Sequence, residues 1–210
     1  MPDAAHEPTV EERLIVTAER MFADRGVGAV SLRAVMQEAG TNVAAVHYHF
    51  GSKQALLDAI VRSRVEQVAA ERGRILRGLP AAEHLTAADL AEVLLRPAIT
   101  VLESGGQSWL RLLNRLLGTD HRDMGGISDT FLARNTELVE LYGRLRPAVP
   151  PTVRRFRLTQ AMRVALDVLC DLDRTCALMS DDDDRWTRDD AIARLLEVVT
   201  SILLGPPAPG

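Results

Sequence analysis

The residues best suited to chemistry lie between residues 31 and 57, and the chemistry they suit is binding rather than catalysis. Three small side chains stand in the middle of this stretch: Val43, Ala44 and Ala45. They are followed by donors that can reach phosphate oxygens: His47, Tyr48, His49 and Lys53. Small side chains let a backbone approach base edges, and their methyl groups can contact the thymine methyl. The pattern predicts a DNA-binding surface whose small residues face the bases and whose donors face the phosphates.

Three short helices are needed to position these side chains, and the sequence carries their start and stop signals. Thr9 opens a capping box, and Gly26 ends the apolar pattern that follows it. Ser31 can cap a second helix that ends at Gly40, and Asn42 can cap a third. Two helices joined by a glycine turn are the arrangement of a helix-turn-helix, whose second helix enters the major groove.

The charge of the chain limits how DNA could be bound. The net charge is −4, and residues 1–55 hold five basic and seven acidic side chains, a net of −2. Residues 31–53 alone have Arg33 and Lys53 against Glu38, a net of +1. Bulk positive charge is therefore excluded as the source of binding, and specific contacts must supply more of the affinity.

The rest of the chain also reads as helical. Apolar spacing predicts helices over residues 53–76, 87–103, 107–117, 128–146, 152–179 and 187–204, with no convincing pair of strands. We therefore expect an all-α fold in which a DNA-binding domain (residues 9–55) precedes a larger helical domain (residues 56–204). Hydrophobic residues make up 47% of the 210, enough for a buried core.

The sequence predicts a cytoplasmic protein. No window approaches 18 uninterrupted apolar residues, and the N-terminus begins acidic and polar, so we expect neither a membrane span nor a secretory signal. The two cysteines, Cys170 and Cys176, lie six apart in a helical pattern and point to different faces. Free thiols are expected, as suits a reducing compartment.

As a set, the N-terminal signals resemble the TetR family of transcriptional regulators over about residues 9–60. The matching pieces are Ser31, Ala39-Gly40, Asn42 to Val46, His47-Tyr48-His49-Phe50 and Ser52-Lys53. The resemblance implies that one group of residues positions the DNA backbone: Ser31, Asn42, His47, Tyr48, His49 and Lys53. It implies that Val43, Ala44 and Ala45 face the bases. One departure is His47, where the family usually has Tyr.

The resemblance also implies a second domain that binds a small, apolar effector and dimerises through helices at about 152–179 and 187–204. Large apolar residues in this part could line an effector cavity or belong to the plain core: Trp109, Phe131, Tyr142 and Met162. This part of the sequence is also loosely similar to the regulators of this family that respond to fatty-acid metabolism. The function expected is that of a homodimeric repressor released from a palindromic double-stranded DNA operator.

Two other classes of protein are alternatives to a DNA-binding regulator. An enzyme lacks support because no nucleophile elbow, Walker, Rossmann or clustered metal motif is found, and we expect no catalytic residue, cofactor or metal. We do not expect His47 and His49 to share a metal ion, because residues two apart on a helix point away from each other. A helical scaffold that retains a vestigial helix-turn-helix is supported by the net charge of −2 over residues 1–55.

Overall fold

The computed structural model describes residues 9–41, 50–79, 84–118, 136–181 and 185–205. Every regular element in these ranges is a helix: α1 (Val10–Arg25), α2 (Leu32–Glu38), α3 (Lys53–Arg77), α4 (Ala87–Glu103), α5 (Gln107–Gly118), α6 (136–145), α7 (Pro151–Cys170), α8 (Leu172–Met179) and α9 (Arg188–Leu204). The all-helical prediction is confirmed for this part of the chain. None of these helices combines the length and the apolar character that crossing a membrane requires.

The first helix begins and ends where its sequence signals predict. The Thr9 Oγ1 accepts from the Glu12 backbone N–H at 3.2 Å. The Glu12 carboxylate accepts in return from the Thr9 backbone N–H at 2.7 Å. This reciprocal pair satisfies two N–H groups that a helix start leaves without partners. At the other end Gly26 adopts φ 84°, a backbone conformation that stops the helix.

The helices on either side of the predicted reading segment start at serine caps. The Ser31 Oγ accepts from the Ala34 N–H at 3.2 Å, and α2 begins at the next residue. The Ser52 Oγ accepts from the Ala55 N–H at 3.0 Å and starts α3. The helix predicted from Asn42 lies outside the described residues.

One predicted helix is wrong, because residues 152–179 form two helices rather than one. The break is at Asp171, whose backbone leaves the helical region with φ −139° and ψ 54°. Its carbonyl then accepts from the Thr175 N–H at 3.0 Å and begins α8. Aspartate is a poor former of helix interiors, and no glycine or proline marks this site. Of the helix predicted over 128–146, residues 136–145 are described and helical.

A single hydrophobic cluster includes residues from every described helix except α8. Helix α1 lies at a junction in it, because α1 packs against α2 and α3 and also against α5. Its side chains Leu14, Ala18 and Phe22 are fully buried. The packing of α3 on α4, of α5 on α7, and of α9 on both α4 and α7 completes the core.

A buried ion pair fixes α1 against α3. The Arg64 guanidinium donates to both carboxylate oxygens of Glu19, from Nε at 2.8 Å and from Nη2 at 3.0 Å. Glu19 is only 4% exposed. Removing one partner of a fully buried pair costs roughly 3–5 kcal/mol, and the partial exposure of Arg64 lowers the figure here. The pair therefore sets the register between the two helices.

Candidate nucleic-acid interface and effector region

The predicted reading segment falls in a part of the chain that the structure does not describe. Its residues are Asn42, Val43, Ala44, Ala45, His47, Tyr48 and His49. Their assignment to DNA bases and phosphates therefore stays a prediction. The geometry of the interface is carried by the two flanks of the segment and by the helices α1, α2 and α3.

Both flanks are held by the three-helix unit. On the α2 side Gly40 adopts φ 63°, and the Thr41 N–H donates to the Met36 carbonyl at 3.0 Å. A left-handed residue at this position favours glycine because it has no Cβ. On the α3 side Phe50 packs against the hydrophobic core and anchors the chain there. The chain thus enters and leaves the segment from fixed points.

Ser31 combines a structural contact with an accessible position. It is exposed, and its Oγ is occupied as the acceptor that caps α2. A hydroxyl that accepts in this way still has its O–H to donate. A phosphate contact by Ser31 is compatible with the cap and remains a prediction.

Lys53 is held by backbone carbonyls and is not a freely moving surface charge. Its Nζ donates to the carbonyls of Val27 at 2.8 Å, Val30 at 3.1 Å and Gly28 at 3.5 Å. The side chain is half-buried at the first position of α3. The sequence predicts that the Lys53 ammonium can reach a phosphate oxygen, and that contact stays a prediction. The carbonyl partners lie more than 20 residues away, so local spacing gave no signal for them.

A second polar contact joins α1 to the far end of α2. The Arg20 Nη2 donates to the Glu38 Oε1 at 2.6 Å, and both side chains are about half exposed. The hydrogen bond from Arg20, and then its charge, lower the pKa of Glu38 below its usual value. Water screens the charges of an exposed pair, so this contact holds the end of α2 only weakly. The Lys53 contacts are better shielded because that side chain is half-buried.

The residues predicted to line an effector cavity are dispersed in the described helices. Trp109 in α5 is 1% exposed, and Met162 in α7 is half-buried against the core. Phe131 lies outside the described residues. Tyr142 in α6 is fully buried, and its hydroxyl donates to the Leu203 carbonyl at the end of α9.

Arg157 completes the contacts around Tyr142. Its Nη1 donates to the Tyr142 hydroxyl oxygen at 3.1 Å and to the Leu204 carbonyl at 3.3 Å. A cation beside the last carbonyls of a helix also interacts favourably with the negative end of the helix dipole. These bonds join α6, α7 and α9, so the polar end of Tyr142 has a structural role.

A cavity of about 350 Å³ lies between the end of α3 and α6. Its apolar wall consists of Leu76, Leu79, Leu85 and Leu141, and its charged residues are Glu137, Glu140 and Arg144. None of the described residues predicted to line an effector pocket contributes to this cavity. Leucine in a helical sequence pattern usually belongs to the core, so the sequence does not identify these four leucines as cavity residues.

The two cysteines differ in surroundings. Both are free thiols, Cys170 buried and Cys176 partly exposed. Burial is the main cause that raises the pKa of Cys170 to about 11. At neutral pH Cys170 is therefore a protonated packing residue, as a buried apolar site favours.

Comparison with known proteins gives a family for the N-terminal part. Residues 14–60 match the family model described as bacterial regulatory proteins, tetR family. The chain is 38% identical over 63 residues to the HTH-type transcriptional regulator BetI of Rhizobium meliloti (strain 1021), covering 30% of this chain and 31% of the relative. It is 32% identical over 62 residues to the HTH-type transcriptional repressor KstR2 of Mycolicibacterium smegmatis, covering 29% and 30%. The match spans less than a third of either curated relative.

Solved structures show that the likeness of fold extends beyond these residues. A TetR-family transcriptional regulator from Bordetella parapertussis 12822 superposes with a TM-score of 0.67 over 92% of this chain and 95% of that chain. The sequence identity is 12%, so the superposition shows a shared fold. The predicted all-helical architecture is thereby confirmed at the level of the fold.

Replacing Tyr142 by Phe tests whether its hydroxyl supports the fold. We expect Tyr142→Phe to lower the free energy of unfolding by about 1–2 kcal/mol, because the Leu203 carbonyl then keeps only the longer bond from Arg157 Nη1 at 3.5 Å. The measurement is the urea midpoint at constant m-value. Thr159→Val is the control, since it removes an exposed hydroxyl that donates to the Arg155 carbonyl at 2.8 Å. Equal midpoints for Tyr142→Phe and wild type would show that the buried hydroxyl contributes nothing to stability.

Proposed function

We propose that the chain is a regulator of the tetR type: a homodimeric, cytoplasmic transcriptional repressor that binds a palindromic operator. The observation that carries the proposal is the family match over residues 14–60, which covers most of α1, all of α2 and the first eight residues of α3. The name of the KstR2 relative supports repression rather than activation.

The proposed activities belong to two parts of the chain. Residues 9–55 bind DNA, and residues 56–204 bind an effector and hold the dimer. In the DNA-binding part, the base-facing residues are Val43, Ala44 and Ala45. The residues proposed to face the DNA backbone are Ser31, Asn42, His47, Tyr48, His49 and Lys53. The described flanks support this division because α2 and α3 fix both ends of the reading segment.

The proposed dimer interface uses α7, α8 and α9. In the structure, α7 and α8 occupy the range predicted as one helix over 152–179, and α9 corresponds to the helix predicted over 187–204. Their outer faces carry exposed apolar side chains: Val153, Phe156, Val164, Leu178, Met179, Val198 and Leu204. Phe156 is 64% exposed, a large apolar side chain to leave in water. A second copy that covers the α7 and α9 faces would bury this surface and supply a two-fold axis for a palindrome.

Release from DNA is proposed to follow from binding of a small, apolar effector. Trp109, Phe131, Tyr142 and Met162 remain the proposed lining residues. An effector can shift the protein away from the DNA-competent state only by its difference in affinity for the two states. A shift that changes the separation of the two reading helices would be enough, because half-sites are fixed by the DNA at roughly 34–36 Å.

Selection of bound sequences from a random duplex pool tests the proposed function. We expect the recovered sequences to contain an inverted repeat with half-sites about one helical turn, or a multiple of it, apart. The measurement is sequencing of the retained DNA at physiological salt. Recovery of unselected DNA, or of none, would contradict the proposal and favour the helical scaffold.

Substitution of Phe156 tests the dimer. We expect Phe156→Asp to weaken self-association at least about tenfold, because a charge would enter an apolar contact. Analytical ultracentrifugation over a range of concentrations measures the effect. Val16→Asp is the matched control, since Val16 is 63% exposed but lies on α1. A Phe156→Asp protein that remains as dimeric as the control would place the interface elsewhere.

A further inference from the structure

The cavity between the end of α3 and α6 has an apolar wall. The wall described by the structure consists of four leucines: Leu76, Leu79, Leu85 and Leu141. The cavity volume of about 350 Å³ falls within the range of ligand pockets, roughly 300–1,000 Å³. Leu76 and Leu79 are only half-buried, so part of their apolar surface is still accessible to solvent. An apolar group bound in the cavity would remove that surface from water, which is favourable.

The charged residues of the cavity come from one face of α6. Glu137, Glu140 and Arg144 are three and four residues apart, a spacing that places them on the same side of a helix. All three line the cavity and are exposed, so they lie where it opens to solvent. Two carboxylates and one guanidinium give this opening a net charge of −1. The cavity thus has an apolar interior and an excess of negative charge at its opening.

The two carboxylates at the opening are available to a ligand. No ion pair or side-chain hydrogen bond joins Glu137 or Glu140 to another residue that the structure describes. Glu140 and Arg144 have the i, i+4 spacing that favours an ion pair, and they are nevertheless not paired. Glu92 and Arg96 have the same spacing in α4 and do pair, at 2.9 Å. The carboxylates of α6 therefore keep their capacity to accept hydrogen bonds.

The arrangement of charges favours a cation with N–H donors. An anion bound to Arg144 would lie on the same helix face as two carboxylates, which repel it. A cation between Glu137 and Glu140 would have a carboxylate on either side, with Arg144 about one turn further along α6. Quaternary ammonium groups are recognised by aromatic side chains, and the described lining residues include none. A carboxylate instead accepts hydrogen bonds from an ammonium that carries protons.

We propose that this cavity binds a primary alkylammonium, whose hydrocarbon chain lies against the leucines and whose ammonium group lies between Glu137 and Glu140. The site is separate from Trp109, Tyr142 and Met162, the described residues proposed to contact the apolar effector. The inference therefore goes beyond the proposed function. A ligand bound in this way would connect the end of α3 to α6.

Calorimetric titration of the full chain without DNA tests the chemical class of the ligand. The probes share one hydrocarbon chain and differ in their head groups: octylamine, octyltrimethylammonium, octanol and octanoate, each below its micelle concentration at neutral pH. We expect octylamine to bind most tightly and octanoate most weakly. Butylamine should bind more weakly than octylamine, by up to about fourfold for each methylene lost, because the cavity buries the chain. Absence of octylamine binding, or equal affinity for octyltrimethylammonium or octanoate, would overturn the proposal.

Substitution of the two carboxylates tests how the ammonium group is held. The double variant Glu137→Gln/Glu140→Gln keeps the side-chain size and removes both charges. We expect octylamine to bind it about fivefold more weakly, as for the loss of two partly exposed ion pairs, with octanol binding unchanged. Glu66→Gln is the matched control, because it removes an exposed carboxylate from α3. A double variant that binds octylamine as tightly as the control would contradict the proposal.

A variant that fills the cavity tests where the ligand lies. We expect Leu79→Trp to abolish binding of both octylamine and octanol, with circular dichroism as the check on folding. If Leu79→Trp does not fold, the smaller Leu79→Phe replaces it, and at least partial loss of binding is expected. Unchanged binding to a folded variant would place the ligand elsewhere and overturn the proposal. These titrations contain no DNA, so failure of the operator selection would contradict the proposed function without deciding this inference.

Discussion

The burial of α1 on two sides is the constraint on which the rest of the structure depends. One side packs against α2 and α3, and the other packs against α5. Leu14 and Phe22 are fully buried at this junction, and the ion pair between Glu19 and Arg64 fixes the register of α1 along α3. A helix enclosed in this way cannot move alone, because close-packed interiors do not deform continuously. The proposed DNA-binding unit is therefore part of a larger packed body.

Polar contacts at the end of α1 connect it to α5. The Arg115 Nη2 of α5 lies 3.5 Å from the Asp24 carbonyl, and the Arg111 Nη1 lies 3.7 Å from the Asp24 carboxylate. Both arginines belong to the helix that also packs on α7. In the proposed dimer, α7 and α9 would set the separation of the two DNA-binding units. A rigid path from α7 through α5 to α1 would make that separation a property of the whole protomer.

The sequence predicts what is local and misses what depends on distant residues. The caps at Thr9, Ser31 and Ser52 could be found because their partners lie three residues away. The Glu19 contact with Arg64 joins residues 45 apart, and the Lys53 contacts join residues 23 to 26 apart. No spacing rule reaches across such separations, since tertiary packing decides them. The helix break at Asp171 was missed for another reason, because the apolar periodicity continues through it.

Native-state hydrogen exchange under increasing denaturant tests most directly whether α1 makes the proposed DNA-binding unit part of one packed body. The amides to follow are those of residues 18–22 in α1 and residues 110–113 in α5. The account predicts that both groups exchange only through the same global unfolding, with equal free energies and equal denaturant dependence. Exchange of the α1 amides through a separate opening of lower free energy, while α5 stays protected, would contradict it.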